Sequence, residues 1–142
     1  MDSILKGFKS TNDYPSSYKK STSLQQRIQD SQRILTKYPT FVPVVVECEK
    51  SLGVLHKRKY LVAENNSVSH LLMSIRGQLK SENKGCNKAF FLFCGGTALC
   101  PTDLMKEVYN KYMDSGYKNC KNKDELGDKF LYINVVEENT FG

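Results

Sequence analysis

The carboxyl end of the chain carries the residue with the clearest potential for chemistry. Gly142 closes a short polar tail (138–142, E-N-T-F-G) that follows an apolar segment at 130–136. A carboxylate that is to become an acyl group has to enter narrow enzyme clefts, and glycine has no Cβ and accepts almost any φ and ψ. Glycine makes up about 7% of average composition, so this residue alone is weak evidence. A strand that continues into a glycine-terminated tail is stronger evidence, and it predicts a carboxylate presented for acyl transfer.

Cysteine and histidine show no pattern typical of a metal site or of nucleophilic catalysis. The two histidines, His56 and His70, are too few and too scattered to complete a zinc site or to supply a base for a catalytic thiol. We therefore expect no metal, no cofactor and no catalytic residue. The cysteines are odd in number and form no C-x-x-C pair, which predicts five free thiols: Cys48, Cys86, Cys94, Cys100 and Cys120.

Size and composition bound the class of protein. A chain of 142 residues, 39% hydrophobic and 25% charged, is typical of one soluble globular domain. No apolar run approaches the roughly 18 residues of a membrane-spanning helix. The N-terminus lacks the apolar region of a secretory signal, so we expect a cytoplasmic protein. The net charge of +6 favours acidic partners, although for most of the lysines a solvated surface is the simpler interpretation.

The spacing of apolar residues predicts alternating helices and short strands. An N-terminal arm (1–23) places aromatic residues in a polar setting, which is typical of a loosely docked segment. Helical spacing runs from Leu24 to a stop at Pro39, and again from Val68 to Leu79. The other predicted elements are strands over 42–47, 57–62, 89–93 and 130–136, a helix opened by Pro101-Thr102, and a loop over 114–129.

This order of elements indicates the fold class. A hairpin, a crossover helix and further strands describe an α+β protein with a β-grasp sheet and a helix across one face. We expect a partly helical N-terminal arm (1–23), a β-grasp domain (24–136) and an extended tail (137–142).

Several collinear segments resemble the autophagy-related protein eight family, the ubiquitin-like modifiers of the GABARAP and microtubule-associated light-chain-three type. The most specific segments are K-R-K-Y-L-V (57–62) and E-N-T-F-G (138–142). The resemblance covers about residues 8 to 142 and implies a ubiquitin-like β-grasp fold with an N-terminal helical extension. It is also carried by K-Y-P (37–39), V-P-V-V-V-E (42–47), S-I-R (74–76), F-F-L-F (90–93), P-T (101–102) and F-L-Y (130–132).

The resemblance implies that the protein is a modifier and not an enzyme. In this family a processing cysteine protease exposes the terminal glycine, here Gly142. An activating enzyme then adenylates the glycine and takes it as a thioester, and a conjugating enzyme passes it on. The acceptor is the amine of phosphatidylethanolamine on the autophagosome membrane. The implied location is cytoplasmic before conjugation and the autophagosome membrane afterwards.

The resemblance also implies capture of short cargo-receptor peptides along the strand predicted at 57–62. An extended peptide pairs with the strand edge, and two pockets receive an aromatic residue and, after two further residues, an aliphatic one. The first pocket is implied to use Asp30, Ile34, Pro43, Val45, Lys59, Leu61 and Phe130. The second is implied to use Tyr60, Val62, Ala63, Leu71 and Ile75. Lys57, Arg58 and Lys59 fit acidic residues that flank such peptides.

The sequence departs from the family pattern around the second pocket. Asn66 and Ser74 stand where apolar residues are usual, so this pocket is predicted to be shallower or more polar. Two alternatives stay open at this point. One is a protein-conjugated modifier of the autophagy-twelve type. The other is a basic module that binds the cytoskeleton or nucleic acid, which dispersed lysines and the absence of a nucleic-acid signature disfavour.

Overall fold

The computed structural model describes residues 17–83, 87–119 and 128–138. Four α-helices lie in these ranges: α1 (Ser17–Ser21), α2 (Leu24–Lys37), α3 (Val68–Glu82) and α4 (Met105–Asn119). The strands are β1 (Phe41–Cys48), β2 (Lys59–Ala63), β3 (Phe90–Cys94), β4 (Thr97–Ala98) and β5 (Leu131–Glu137), with a 3₁₀ turn at Lys50–Leu52. Within the described ranges, no helix has the length and apolar character needed to cross a membrane.

The five strands form one mixed sheet in the order β2-β1-β5-β3-β4. β1 pairs antiparallel with β2 and parallel with β5, and β3 pairs antiparallel with both β5 and β4. β5, the most C-terminal of these strands, therefore lies in the centre of the sheet. The two edge strands of the sheet are β2 and β4.

β1 is buried along most of its length because helices cover both faces of the sheet at that point. Val42, Val44 and Val46 pack with α3 and α4 in the larger core. Val45 points to the opposite face and packs in a smaller core with Tyr18 of α1, Ile34 of α2 and Phe130. In a strand that is buried on both faces, a continuous run of β-branched residues, as in β1, is favoured over alternating apolar and polar residues.

Side chains at the end of α3 anchor the loop that leads into β2. The Asn83 amide accepts a hydrogen bond from the Val54 N–H and donates one to the Val54 carbonyl, both at 2.9 Å. The Glu82 carboxylate accepts from the His56 N–H at 3.1 Å and pairs with the His56 ring. The start of the edge strand is thus held by the helix that packs beneath it.

The arm differs from the sequence-based expectation. Tyr18 is fully buried, so the described end of the arm is packed into the fold and is not loosely docked. Its ring meets Phe130 edge to face at 5.4 Å between centroids. A contact between residues so distant in the chain leaves no trace in local sequence spacing.

Several element boundaries also differ from the prediction, including those of β2 and α4. β2 begins at Lys59 and not at Lys57, although the Arg58 carbonyl still accepts a hydrogen bond from the Val46 N–H of β1 at 2.7 Å. The helix expected from Pro101 begins at Met105. Residues 114–119, expected to be loop, continue α4, since one interior glycine costs a helix only about 1 kcal/mol. Residues 120–127 of that predicted loop lie outside the described residues.

One strand was not predicted. β4 is a two-residue strand that pairs with the end of β3 across the turn at Gly95-Gly96. Both glycines have positive φ, 58° and 85°, which glycine adopts at little cost. A pair of glycines is typical of a turn, but two residues are too few to give a strand pattern in the sequence.

We predict that Gly53→Ala destabilises the protein by more than about 1 kcal/mol. Gly53 has φ of +110°, and an added Cβ would lie 2.3 Å from Asn83 Oδ1, so the substitution strains the backbone and displaces the amide that holds the loop. Gly77→Ala is the matched control. Gly77 lies within α3 with open space around its Cα, and alanine there should stabilise by about 0.5–1 kcal/mol. Urea unfolding followed by circular dichroism measures both, and equal stabilities for the two variants would contradict the account.

Candidate functional site

β2 presents an unpaired outer edge between two surface cavities. The first cavity has a volume of about 640 Å³ and lies between α2, β2 and the end of α3. The second, of about 530 Å³, lies between β2 and the exposed side of α3. Lys57, Tyr60 and Leu61 contribute to both cavities. Leu61 is 39% exposed, so an apolar side chain separates the cavities and is accessible from each.

Five of the seven residues implied for the first pocket line the first cavity: Ile34, Pro43, Lys59, Leu61 and Phe130. Asp30 and Val45 do not. Both are fully buried on the α2 side of the sheet, beneath the cavity. The sequence interpretation missed Tyr38, His56, Gln78 and Glu82, which complete the lining.

Four of the five residues implied for the second pocket line the second cavity: Tyr60, Val62, Ala63 and Leu71. Ile75 does not line it and is fully buried in the larger core. Asn66 and Ser74, which stand where apolar residues are usual in the family, are both in the lining, as are His70 and Gln78. Met73 also contributes and is 69% exposed, which makes it the largest accessible apolar surface of this cavity that the sequence interpretation missed.

The basic run before and within β2 is only partly at the surface. Lys57 is exposed, with its Nζ 4.9 Å from the centroid of the Tyr60 ring, and Arg58 is half-buried. Lys59, expected to be available to acidic flanking residues, is only 5% exposed. Lys57 and Arg58 are therefore the cations of this run that an acidic ligand meets first.

Lys59 forms part of the floor of the first cavity. Its Nζ lies 4.0 Å from the centroid of the Tyr18 ring and 4.9 Å from that of Phe130. Among the described residues it has no hydrogen-bond partner. Burial lowers the pKa of Lys59 to about 8, and the nearby carboxylates of Asp30 and Asp128 only partly oppose this effect. Cation–π contact with the two aromatic rings also stabilises the ammonium.

The two carboxylates belong to a buried polar cluster that fixes the cavity floor. Asp30 accepts hydrogen bonds from the Tyr18 hydroxyl at 3.3 Å and from Arg33 at 3.1 Å. Asp128 accepts from the Phe130 N–H at 2.9 Å and from the Tyr132 hydroxyl. Arg27 Nε of α2 lies 3.5 Å from Asp128 Oδ2, so the cluster ties α1 and α2 to the start of β5 and sets the positions of the Tyr18 and Phe130 rings.

The C-terminal tail is the second candidate functional feature. Gly142, the residue predicted to carry the acyl group, lies outside the described residues. β5 ends at Glu137, and residue 138 is the last one described.

The family described as "Autophagy protein Atg8 ubiquitin like" matches residues 26–142 of the chain. The chain belongs to the Atg8 family. This confirms the family prediction, and the β-grasp sheet with N-terminal helices confirms the predicted α+β fold. Atg8 proteins are ubiquitin-like modifiers of autophagy and not enzymes, as the sequence led us to expect.

Relatives from plants and fungi match nearly the whole chain. Autophagy-related protein 8a of Arabidopsis thaliana is 36% identical over 129 residues, which cover 89% of this chain and 93% of the relative. Autophagy-related protein 8 of Mycosarcoma maydis is 32% identical over 131 residues, covering 89% and 97%. Among solved structures, ATG8 of Trypanosoma brucei superposes with a TM-score of 0.68 at 26% identity and covers 90% of this chain and 99% of its own.

We predict that Lys59→Met alters how stability depends on pH. Because the pKa of Lys59 is lower in the folded than in the unfolded protein, the cost of burying its charge is complete below about pH 8. That cost is relieved as the pH rises toward the ordinary lysine value, so this residue makes wild-type stability rise between pH 8 and 10. The free energy of unfolding of Lys59→Met should therefore exceed that of wild type by about 1–2 kcal/mol at pH 7, and most of that difference should be lost by pH 9.5.

The control is Lys57→Met, which removes an exposed lysine two residues away. Its stability difference from wild type should stay constant across the same range. Urea unfolding at each pH measures both, and a constant difference for Lys59→Met would show that the ammonium is not buried as described.

Proposed function

We propose that this Atg8 protein is conjugated through the carboxylate of Gly142 to phosphatidylethanolamine on autophagosomal membranes. We further propose that it binds short acidic peptides with an aromatic-x-x-aliphatic core along β2. The observation that carries the peptide proposal is the unpaired edge of β2, which lies between two cavities with Leu61 accessible from both. Family membership carries the conjugation proposal.

The geometry suits β-augmentation. An extended peptide beside β2 would pair its main chain with the free edge, and alternate side chains would then point into the cavities. The first cavity has an aromatic floor and apolar walls from Ile34, Pro43 and Leu61. An aromatic side chain buried there loses about 150–250 Å² of accessible surface, worth a few kcal/mol before the costs of association.

The second cavity should contribute less than the first to the free energy of peptide binding. Val62, Leu71 and Met73 supply apolar surface for an aliphatic side chain, while Asn66, His70 and Ser74 make part of the wall polar. Lys57 and Arg58 would attract acidic residues beside the core of the peptide. Such exposed charges act mainly on the association rate.

The chemistry of conjugation needs only the terminal carboxylate from this chain. A carboxylate oxygen attacks the α-phosphorus of ATP and releases pyrophosphate, and an enzyme thiol then displaces AMP to form a thioester. After transfer to the conjugating enzyme, the lipid amine attacks the thioester carbonyl, the thiol leaves, and an amide remains. Activating and conjugating enzymes, the processing protease and receptor peptides are the proposed partners. The proposed location changes from the cytoplasm to the autophagosome membrane.

We predict that deletion of Gly142 abolishes lipid conjugation and leaves the fold and peptide binding unchanged, because the tail lies beyond the last strand. Reconstitution with activating and conjugating enzymes, ATP and liposomes containing phosphatidylethanolamine, read by mass spectrometry, is the test. A lipid adduct on the truncated protein would refute the role of Gly142. An adduct of the wild-type chain on a protein lysine, with none on lipid, would instead identify the autophagy-twelve type of modifier.

We predict that Leu61→Ala weakens binding of an acidic aromatic-x-x-aliphatic peptide about five- to tenfold. Leu61 is half-exposed, so its truncation costs little stability, whereas Phe130 and Leu71 are almost completely buried and their truncation would also disturb the core. Val54→Ala is the control, since Val54 is 47% exposed and lines neither cavity. Calorimetric titration at one pH compares the three proteins. Equal losses for Leu61→Ala and Val54→Ala would show that β2 is not the binding edge.

A further inference from the structure

The end of β5 is held after its neighbouring strand has ended. The ladder with β1 runs to the pair Cys48 and Val135. The next residue, Glu49, extends the ladder through its backbone N–H, which donates to the Val135 carbonyl at 3.0 Å. The Glu49 side chain then takes over the pairing with β5, because its Oε1 accepts a hydrogen bond from the Glu137 N–H at 2.8 Å. A carboxylate oxygen thus occupies the place of the carbonyl that a longer β1 would provide.

The opposite side of β5 is held in a corresponding way. The Glu138 N–H donates to the Ala89 carbonyl at 2.8 Å, one step beyond the start of β3. Lys88 Nζ donates to the Ser51 carbonyl at 2.7 Å and lies 4.0 Å from Glu137 Oε2. Lys88 therefore links the 3₁₀ turn that follows β1 to the last residue of β5. Each of these contacts brings together residues from distant parts of the chain.

We infer that Glu49 and Lys88 form a tail clamp that positions Gly142 for activation. The inference rests on the proposed conjugation. Glu138 is the last described residue, and Gly142 lies four residues further along the chain. A fully extended chain of that length reaches at most about 14 Å. By holding the backbone at Glu137, the clamp fixes the point from which the carboxylate of Gly142 is offered, and the chain length limits its distance from that point.

Release of the clamp would have a defined consequence. Without the Glu49 oxygen, the Glu137 N–H has no acceptor on the β1 side, and the last residues of β5 are free to separate from the sheet. More residues would then separate Gly142 from the last position held by the sheet. A longer and looser tether lowers the effective concentration of its end at a docked enzyme site. Positioning of this kind affects the rate of the reaction, while the reacting atoms are unchanged.

The test compares two substitutions of one residue. Glu49→Ala removes the acceptor, whereas Glu49→Gln removes the charge and keeps an oxygen that can accept from Glu137. Thioester formation is measured with the full chain, the activating enzyme and saturating ATP, as a function of the concentration of the chain. We expect Glu49→Ala to lower kcat/KM about three- to tenfold and Glu49→Gln to stay within twofold of wild type. Lys88→Met should lower kcat/KM about twofold, because Lys88 is half-exposed and its contact with Glu137 is longer.

Two further measurements separate positioning from general loss of stability. Amide hydrogen exchange at Glu137 should accelerate in Glu49→Ala and not in Glu49→Gln. The matched control is Glu107→Ala, which removes a comparable side-chain acceptor, for the Leu104 N–H at 3.3 Å, at the start of α4. It should leave kcat/KM unchanged.

The outcomes are distinct. Unchanged kcat/KM in Glu49→Ala, with exchange at Glu137 accelerated, would overturn the clamp as a positioning device while conjugation itself stands. An equal loss in Glu107→Ala would also overturn it, because the effect would then be one of stability. If the wild-type chain forms no thioester, the proposed conjugation fails and the clamp loses its role with it.

Discussion

The position of β5 in the sheet, between β1 and β3, is the constraint on which both functional features depend. Its parallel pairing with β1 joins the last strand of the chain to the first and completes the larger core with Leu131, Ile133 and Val135. With β5 on one side of β1, β2 is left at the edge with its outer side unpaired. The same insertion carries the chain out of the sheet at Glu137, from where the tail continues. One pairing therefore determines both which strand lies at the edge of the sheet and where β5 ends.

The smaller core carries an electrostatic cost that the larger core does not. Lys59 is buried against Tyr18 and Phe130, and the lowered pKa records the penalty of removing its charge from water. Two buried carboxylates nearby, Asp30 and Asp128, reduce that penalty and also hold tyrosine hydroxyls, whose pKa values burial raises. A fully apolar cluster would avoid this cost. The polar cluster instead gives the floor of the first cavity a defined arrangement of two rings and one cation.

Much of the fold follows from local patterns in the sequence. The helical spacing of Val68, Leu71, Ile75 and Leu79 predicted α3, and the β-branched run predicted β1, because in both cases the pattern reports a face covered by the core. Predictions of this kind depend on neighbours a few positions away. Most residues that the family resemblance implied for the two pockets also line the cavities.

The features that escaped the sequence depend on distant residues. Burial of Lys59 requires Tyr18, which lies 41 positions earlier in the chain, and the Glu49 contact with Glu137 spans 88 positions. The family resemblance implied that Ile75 lines the second pocket beside Leu71, but the packing of α3 against the sheet decides which of the two lines the cavity. The extension of α4 through 114–119 was missed for another reason: a run of polar residues with a glycine resembles a loop when helix propensity is weak.

The proposed function requires that β2, and not the opposite edge β4, receives the peptide. Both edges are free within the described part of the sheet, so the two can be compared in one experiment. The measurement is a titration of isotope-labelled protein with an acidic aromatic-x-x-aliphatic peptide, followed by backbone amide chemical shifts. We expect the largest changes in Lys59–Ala63 and in residues lining the two adjacent cavities, with Thr97–Ala98 unaffected. Changes concentrated at Thr97–Ala98 and the facing side of α4, with β2 unperturbed, would contradict the account.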